Sequence, residues 1–260
     1  MKQKRNSSKR VKRVSKKETT ENTPSTDVRL NKYIANSGVC SRREADKLIE
    51  NGEIKVNKNV VTEMGFKVKP GDTVYYKGKK LVPENNVYLL LNKPKDFITT
   101  TDDPENRRTV MDLVKNACNE RIYPVGRLDR NTTGLLLFTN DGELAKKLSH
   151  PSHKVRKIYK VDLDKNITKE HFLQIQEGLN LEDGLAIVDN LAMIDGSKSQ
   201  LGIEIHIGRN RIVRRIFEHL GYDVVKLDRV MYGTLDKLNL PRGKWRMLTE
   251  KEIIKLKHMN

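Results

Sequence analysis

Cysteine is nearly absent from this chain. The two cysteines, Cys40 and Cys118, lie far apart without the spacing of metal ligands, so they predict neither a disulfide framework nor a zinc site. No apolar run approaches the ~20 residues that a bilayer span requires, and no apolar segment of a secretory signal follows the basic N-terminus. A phosphate-binding P-loop and a dinucleotide motif are also missing. We therefore expect a cytoplasmic protein, away from the membrane, that uses no metal or cofactor.

Acidic residues are scarce relative to basic ones. The chain has 51 Lys and Arg against 34 Asp and Glu, a net charge of +17. Such a charge is typical of proteins that bind a polyanion; a basic ribosome-associated or membrane-surface protein is the alternative. Residues 1–27 carry +6 of this charge and almost no apolar residue, so they cannot bury enough surface to fold. We expect them to form a disordered basic arm.

Residues 28–84 have the pattern of a small α+β module. Ser41 and Glu44 have the spacing of a capping box at the start of a helix, and Asn51-Gly52 is a typical helix end. A shorter helix is expected before this one, and short strands after it.

The same module resembles the S-four RNA-binding domain. The resemblance rests on RLNKYIANSGVCSRREAD at residues 29–46 and GEIKVN at residues 52–57. Arg42 and Arg43 occupy the first turn of the predicted helix, beside backbone N–H groups that lack a partner within the helix. We predict that both arginines bind an RNA phosphate there, with a solvated pair of cations as the alternative.

Residues 85–260 read as a second, larger domain. Strands and helices mix there without a βαβ rhythm, which predicts an α+β fold with a mixed, largely antiparallel sheet and peripheral helices. Strands are expected over 87–91, 134–139, 157–163, 186–192, 202–207 and 224–230. Helices are expected over 109–114, 143–148, 169–177, 211–220 and 250–257.

Asp129 is an acid in a position where packing predicts apolar or small residues. It lies in GRLDRNTTGLL, residues 126–136, between an apolar lead-in and a predicted buried strand. A carboxylate in such surroundings needs a partner or a function, although a turn or a helix cap is the simpler explanation. The stretch resembles the signature of RNA pseudouridine synthases of the RsuA/RluB type, in which this aspartate is catalytic.

The resemblance implies a reaction in which the bond from ribose C1′ to uracil N1 breaks and C1′ joins C5. This isomerisation requires no redox change and no activated phosphate. A carboxylate beside C1′ can attack it, stabilise positive charge on the sugar, or remove a sugar proton. The sequence leaves these three roles open.

The resemblance also implies partners for Asp129. Residues 208–218 read GRNRIVRRIFE, in which four apolar residues form a helical stripe. Arg214 holds the family's basic position that pairs with the catalytic carboxylate, and Tyr159 holds that of a tyrosine placed against the target base. The further residues predicted to contact RNA are Lys93 of an early Lys-Pro pair, Arg127, Arg209, Arg211 and Arg215.

The sequence therefore predicts a pseudouridine synthase that acts on ribosomal RNA, most similar to the branch that modifies the large subunit. Two positions depart from the family pattern, since Lys95-Asp96-Phe97 replaces an expected glycine and Ile212 replaces a common glutamine. A synthase for small-subunit or transfer RNA, and a ribosome-assembly protein without catalysis, are the alternatives. We expect a monomer.

Overall fold

The computed structural model describes residues 27–259, and the chain divides between Glu84 and Asn85 into two compact units. The arm predicted for residues 1–27 lies, apart from Asp27, outside the described residues. Within residues 27–259, no helix has the length and apolar character needed to cross a membrane.

The N-terminal unit is a small α+β module. Its elements are β1 (Val28–Arg29), α1 (Leu30–Asn36), α2 (Arg42–Glu50), β2 (Ile54–Val56), β3 (Asn59–Val60), β4 (Lys67–Val68), β5 (Val74–Tyr76) and β6 (Lys79–Leu81). The capping box of α2 is confirmed, because Ser41 Oγ accepts from Glu44 N and the Glu44 carboxylate accepts from Ser41 N. Four strands pair in the order β3-β2-β5-β6, and Ile34, Ile49 and Ile54 are buried in the core.

The C-terminal unit has its strands and helices in the following order. They are β7 (Tyr88–Lys93), α3 (Val110–Val114), β8 (Tyr123–Pro124), β9 (Thr133–Thr139), α4 (Gly142–Ser149), β10 (Lys157–Leu163), α5 (Lys169–Glu177), β11 (Leu179–Leu181), β12 (Gly184–Ala186), β13 (Asn190–Ile194), β14 (Ser197–Ile205), α6 (Ile212–His219), β15 (Val224–Tyr232), β16 (Leu235–Asp236), β17 (Trp245–Met247) and α7 (Glu250–Lys257).

A mixed sheet forms the centre of this unit. Its main order is β13-β14-β10-β15-β9-β7-β17, with β16 added to β15 and β8 to β9. The pairs are antiparallel except for β15 with β9. These two strands are parallel, with Thr133 opposite Asp228 and Gly134 opposite Arg229. The predicted α+β class with a mixed, mostly antiparallel sheet is thus confirmed.

The strands β7 and β9 are buried on both faces, which explains their continuous apolar runs. Alternate side chains enter different cores because successive strand residues point to opposite faces. Leu89 and Leu136 pack in the core that includes α6, whereas Leu90 and Leu137 pack in the core that includes α4 and α7. The sheet is therefore a rigid support for the loops that leave its edges.

The strand predicted over residues 186–192 is wrong as a single element. β12 ends at Ala186 in a separate two-stranded hairpin with β11, and β13 begins only at Asn190 in the main sheet. Between them Ile187 is half exposed and Val188 is buried. The apolar pattern runs across both strands, so it conceals the point at which the chain leaves one sheet for the other.

Candidate active site

Asp129 lies in the turn that precedes β9. Gly126 allows this turn with a φ of +73°, a value that glycine adopts readily. Next to Asp129, buried Leu128 is fixed through its backbone, since its carbonyl accepts from Thr99 Oγ1 at 2.7 Å and its N–H donates to the same oxygen at 3.2 Å. The Asp129 carbonyl accepts from Thr132 N at 3.0 Å, while its carboxylate remains about a third exposed (37%).

Lys93 stabilises the same turn through hydrogen bonds to its backbone. Its side chain is completely buried at the end of β7, and its ammonium donates to the carbonyls of Pro94, Asp129, Arg130 and Thr132 over 2.9–3.3 Å. Burial lowers the pKa of Lys93 to about 8, against the opposing effect of the Asp129 charge. A buried ammonium cannot reach RNA, so the structure corrects the predicted RNA contact of Lys93 and makes this residue a support for Asp129.

The cation at ion-pair distance from Asp129 is Arg211. Its Nη1 lies 3.9 Å from Asp129 Oδ2, and its Nη2 donates to Glu218 Oε1 at 3.0 Å. Arg211 has a φ of 45° and a ψ of 30° at the residue before α6, and this left-handed conformation is uncommon for a side chain of its size.

Arg214 makes no direct ion pair with Asp129, in contrast to the pairing that the sequence predicted. It is buried in α6 and its Nη1 donates to the carbonyl of Val224 at 2.7 Å. Burial and the charge of Arg211 lower its pKa, whereas the charge of Asp129 opposes this change. No guanidinium fork therefore joins Arg214 to Asp129, and the charge of Arg214 is felt at the carboxylate only across a distance.

Tyr159 lies on β10 and shares a cavity with Asp129. It is 9% exposed and packs in the same core as α6. Tyr159, Asp129 and Arg211 line a cavity of about 80 Å³ together with Ile212 and Val213. Two of the three predicted catalytic residues, Asp129 and Tyr159, thus line one cavity, and Arg214 lies in the adjacent helix.

A larger cleft of about 610 Å³ opens above Asp129. Five arginines line it, namely Arg107, Arg127, Arg130, Arg209 and Arg211, against the two carboxylates of Asp103 and Asp129. The excess of positive charge suits an RNA backbone. Residues 27–259 contain no group of three or more His, Cys, Asp or Glu that could hold a metal ion.

Comparison with known proteins shows to which family the chain belongs. A family model for RNA pseudouridylate synthase matches residues 87–219, and one for the S4 domain matches residues 28–74. Ribosomal large subunit pseudouridine synthase B of Bacillus subtilis (strain 168) is 42% identical over 88% of this chain and 95% of its own. The chain belongs to the RNA pseudouridylate synthase family.

Further relatives extend the match. The dual-specificity RNA pseudouridine synthase RluF of Escherichia coli (strain K12) is 38% identical over 90% of this chain and 79% of its own. A crystal structure of a pseudouridylate synthase superposes with a TM-score of 0.63 at 29% identity, over 88% of this chain and 99% of that one. The protein is thus an isomerase with an N-terminal S4 domain, as the sequence predicted.

Two of the arginines predicted to bind RNA, Arg209 and Arg215, form hydrogen bonds and ion pairs with other residues of the protein. Arg215 forms a fork with Asp183 through contacts of 2.9 and 2.8 Å. Arg209 donates to the Asp183 carboxylate at 3.3 Å and to the carbonyls of Gly184 and Leu185 at 2.9 and 2.7 Å. Arg209 lines the cleft all the same, whereas Arg215 does not.

The other predicted RNA contacts are on the surface. Arg127 is exposed at the cleft beside Asp129. In the N-terminal unit, Arg42 and Arg43 are exposed in the first turn of α2, where the sequence placed them.

The sequence does not indicate a role for Thr99 or Asp183. Thr99 is a single threonine in a loop, and no motif or periodicity around it predicts its contact with Leu128. Asp183 lies in the segment LEDG, residues 181–184, and its partners Arg209 and Arg215 are distant in the sequence.

Proposed function

We propose that this synthase isomerises a uridine in large-subunit ribosomal RNA, with Asp129, Tyr159 and Arg214 as its catalytic residues. The observation that carries the proposal is the placement of the Asp129 carboxylate, which is accessible in a cleft of arginines and shares a cavity with Tyr159. The resemblance to a large-subunit synthase over nearly the whole chain supports the choice of RNA.

The proposed reaction requires a uridine that leaves its stack. Extrusion of a base costs a few kcal/mol when the base is paired, and one aromatic platform returns about 1–3 kcal/mol. Tyr159 alone can therefore hold an unpaired or bulged uridine, whereas a paired uridine would also require arginine contacts to phosphates in the cleft. Asp129 then acts on the ribose as nucleophile, as electrostatic stabiliser or as base, and the C5 proton leaves after C1′ has joined C5.

The positive surroundings keep Asp129 available for each of these roles. Arg211 lies 3.9 Å from the carboxylate, and Arg214 places a second, buried positive charge in the adjacent helix. Neither cation forms a bidentate fork with it, so an oxygen of Asp129 remains free to approach ribose C1′.

The substitution Asp129→Asn tests the proposal. It removes the charge with little change in shape, and we expect pseudouridine formation to fall by about 10³-fold or more, as for other lost catalytic groups. RNA affinity is expected to stay within a few-fold or to increase. Asp103→Asn is the matched control, because it removes the other carboxylate of the same cleft and should retain most of the activity.

Pseudouridine mapping identifies the substrate. Ribosomal and transfer RNA from cells that lack the protein are compared with RNA from cells that express wild type or Asp129→Asn. We expect one site of large-subunit RNA to lose its pseudouridine and to regain it with wild type only. A site restored equally by the mutant would refute the catalytic role, and a lost site in small-subunit or transfer RNA would refute the choice of substrate.

A further inference from the structure

The hairpin of β11 and β12 reaches the loop that carries Arg211. Asp183, in the turn of this hairpin, contacts Arg209 on one side of the loop and Arg215 on the other. Arg215 Nε also donates to the carbonyl of Asn210 at 2.9 Å. Arg211 therefore lies between two anchors that depend on the same carboxylate.

The conformation of Arg211 makes such anchors necessary. Its positive φ of 45° is an uncommon conformation that persists when the surrounding structure determines it. The side chain of Arg211 does not provide this restraint, because it is exposed and divided between Asp129 at 3.9 Å and Glu218 at 3.0 Å. The restraint has to come from the neighbouring residues of the loop.

The contacts of Asp183 fix the orientation of the arginines that they bind. An arginine–carboxylate fork fixes direction as well as distance, and Arg209 adds two carbonyl bonds to the same hairpin. Arg209 and Arg215 are about 30% exposed at their side chains (31% and 28%). These contacts are therefore worth little as isolated surface pairs, and their effect comes from joining three residues in one network.

We infer that Asp183 is a positioning residue of the active site, which fixes the Gly208–Arg211 loop through Arg209 and Arg215 and so directs Arg211 toward Asp129. This inference rests on the proposed function of Asp129. Asp183 touches no substrate in this arrangement. Loss of its charge leaves the hairpin in place but removes the common anchor of the loop, so the carboxylate and its cation lose their alignment.

The test compares Asp183→Asn with Asp183→Glu and with a matched control in the full-length protein. Asp195→Asn is the control, because Asp195 lies in the next hairpin turn and makes no ion pair within residues 27–259. For Asp183→Asn we expect kcat to fall about 10-fold with KM for RNA within about 3-fold, since small displacements at an active site act on the rate. Asp183→Glu should recover most of the rate.

A purely structural role predicts a different pattern, namely a lower Tm for Asp183→Asn and Asp183→Glu alike with an unchanged kcat for the folded enzyme. Either an unchanged kcat or a change confined to KM would overturn the inference. Crystal structures provide a readout that does not depend on activity, because Arg211 should remain near its 3.9 Å distance from Asp129 in wild type and Asp183→Glu only. An inactive wild type would refute the proposed function, whereas an unmoved Arg211 in Asp183→Asn would refute the positioning role alone.

Discussion

At Gly134 the parallel strands β9 and β15 leave no room for a side chain, and Gly134→Ala tests how the active-site turn is supported. The residue has a φ of +111° and lies opposite Arg229. A Cβ atom at this position would lie 2.3 Å from the carbonyl oxygen of Arg229 and 2.5 Å from its nitrogen. Both atoms belong to the backbone of a central strand, so neither can rotate away.

The expected cost has two parts. The positive φ costs an alanine about 1–2 kcal/mol, and the strands must separate by about 1 Å, which as overpacking adds about 1–3 kcal/mol. We expect the free energy of unfolding to fall by about 2–5 kcal/mol, the sum of the two parts. Gly196→Ala is the matched control, because Gly196 has a φ of +72° with no atom within 4 Å. Only the conformational part applies there, about 1–2 kcal/mol.

Urea denaturation of the full chain measures this difference through the transition of the C-terminal unit, with activity recorded on the same samples. Gly134→Ala should also reduce kcat, because Gly134 follows the Asp129 turn and pairs with Lys93 on β7. If Gly134→Ala and Gly196→Ala had equal midpoints, the close approach of the two strands would not be the reason for this glycine.

Two further predictions concern the residues that hold the Asp129 turn. Lys93 has a pKa lowered from 10.5 to about 8, so the folded protein releases its proton before the unfolded chain does, and stability rises with pH between these values. We expect wild type to gain about 3 kcal/mol over Lys93→Met between pH 8 and 10.5; a constant gap in their urea midpoints would contradict the burial of this charge. Thr99→Val removes both hydrogen bonds to Leu128, at about 1 kcal/mol each, and should lower kcat several-fold with unchanged RNA affinity in a filter-binding assay.

The sequence alone predicts those structural elements that depend on residues close together in the chain. The capping box at Ser41 and Glu44 is a short-range pattern, and the buried strand after Gly134 follows from a run of apolar residues. Asp129 stands out as an acid in an apolar segment and Tyr159 follows only from the family resemblance. Their common cavity depends on β9 and β10 pairing with the two sides of β15. The fold was thus predictable where hydrophobic periodicity and turn residues agree.

The partners of the charged residues were not predictable in the same way. Arg209 and Arg215 lie 26 and 32 residues from Asp183 in the sequence, and no local pattern shows that these side chains meet. Lys93 has the sequence environment of a strand end, where a lysine is normally solvated, yet it is fully buried beneath four carbonyls. Long-range pairing decides which cations are held in contacts within the protein, and residue type alone does not show this.

The position of Asp129 is determined mainly by its backbone. Lys93 and Thr99 bond to main-chain atoms of the turn, whereas the nearest cation lies 3.9 Å from the carboxylate and is shared with Glu218. Arg214 contributes charge, but its Nη1 is occupied by the carbonyl of Val224. Because no fork locks the rotation of the side chain, the carboxylate can still reach a ribose. Substitutions at Lys93 or Thr99 should therefore change the rate of catalysis through the backbone of the turn, and substitutions at Arg211 through the alignment of the carboxylate with its cation.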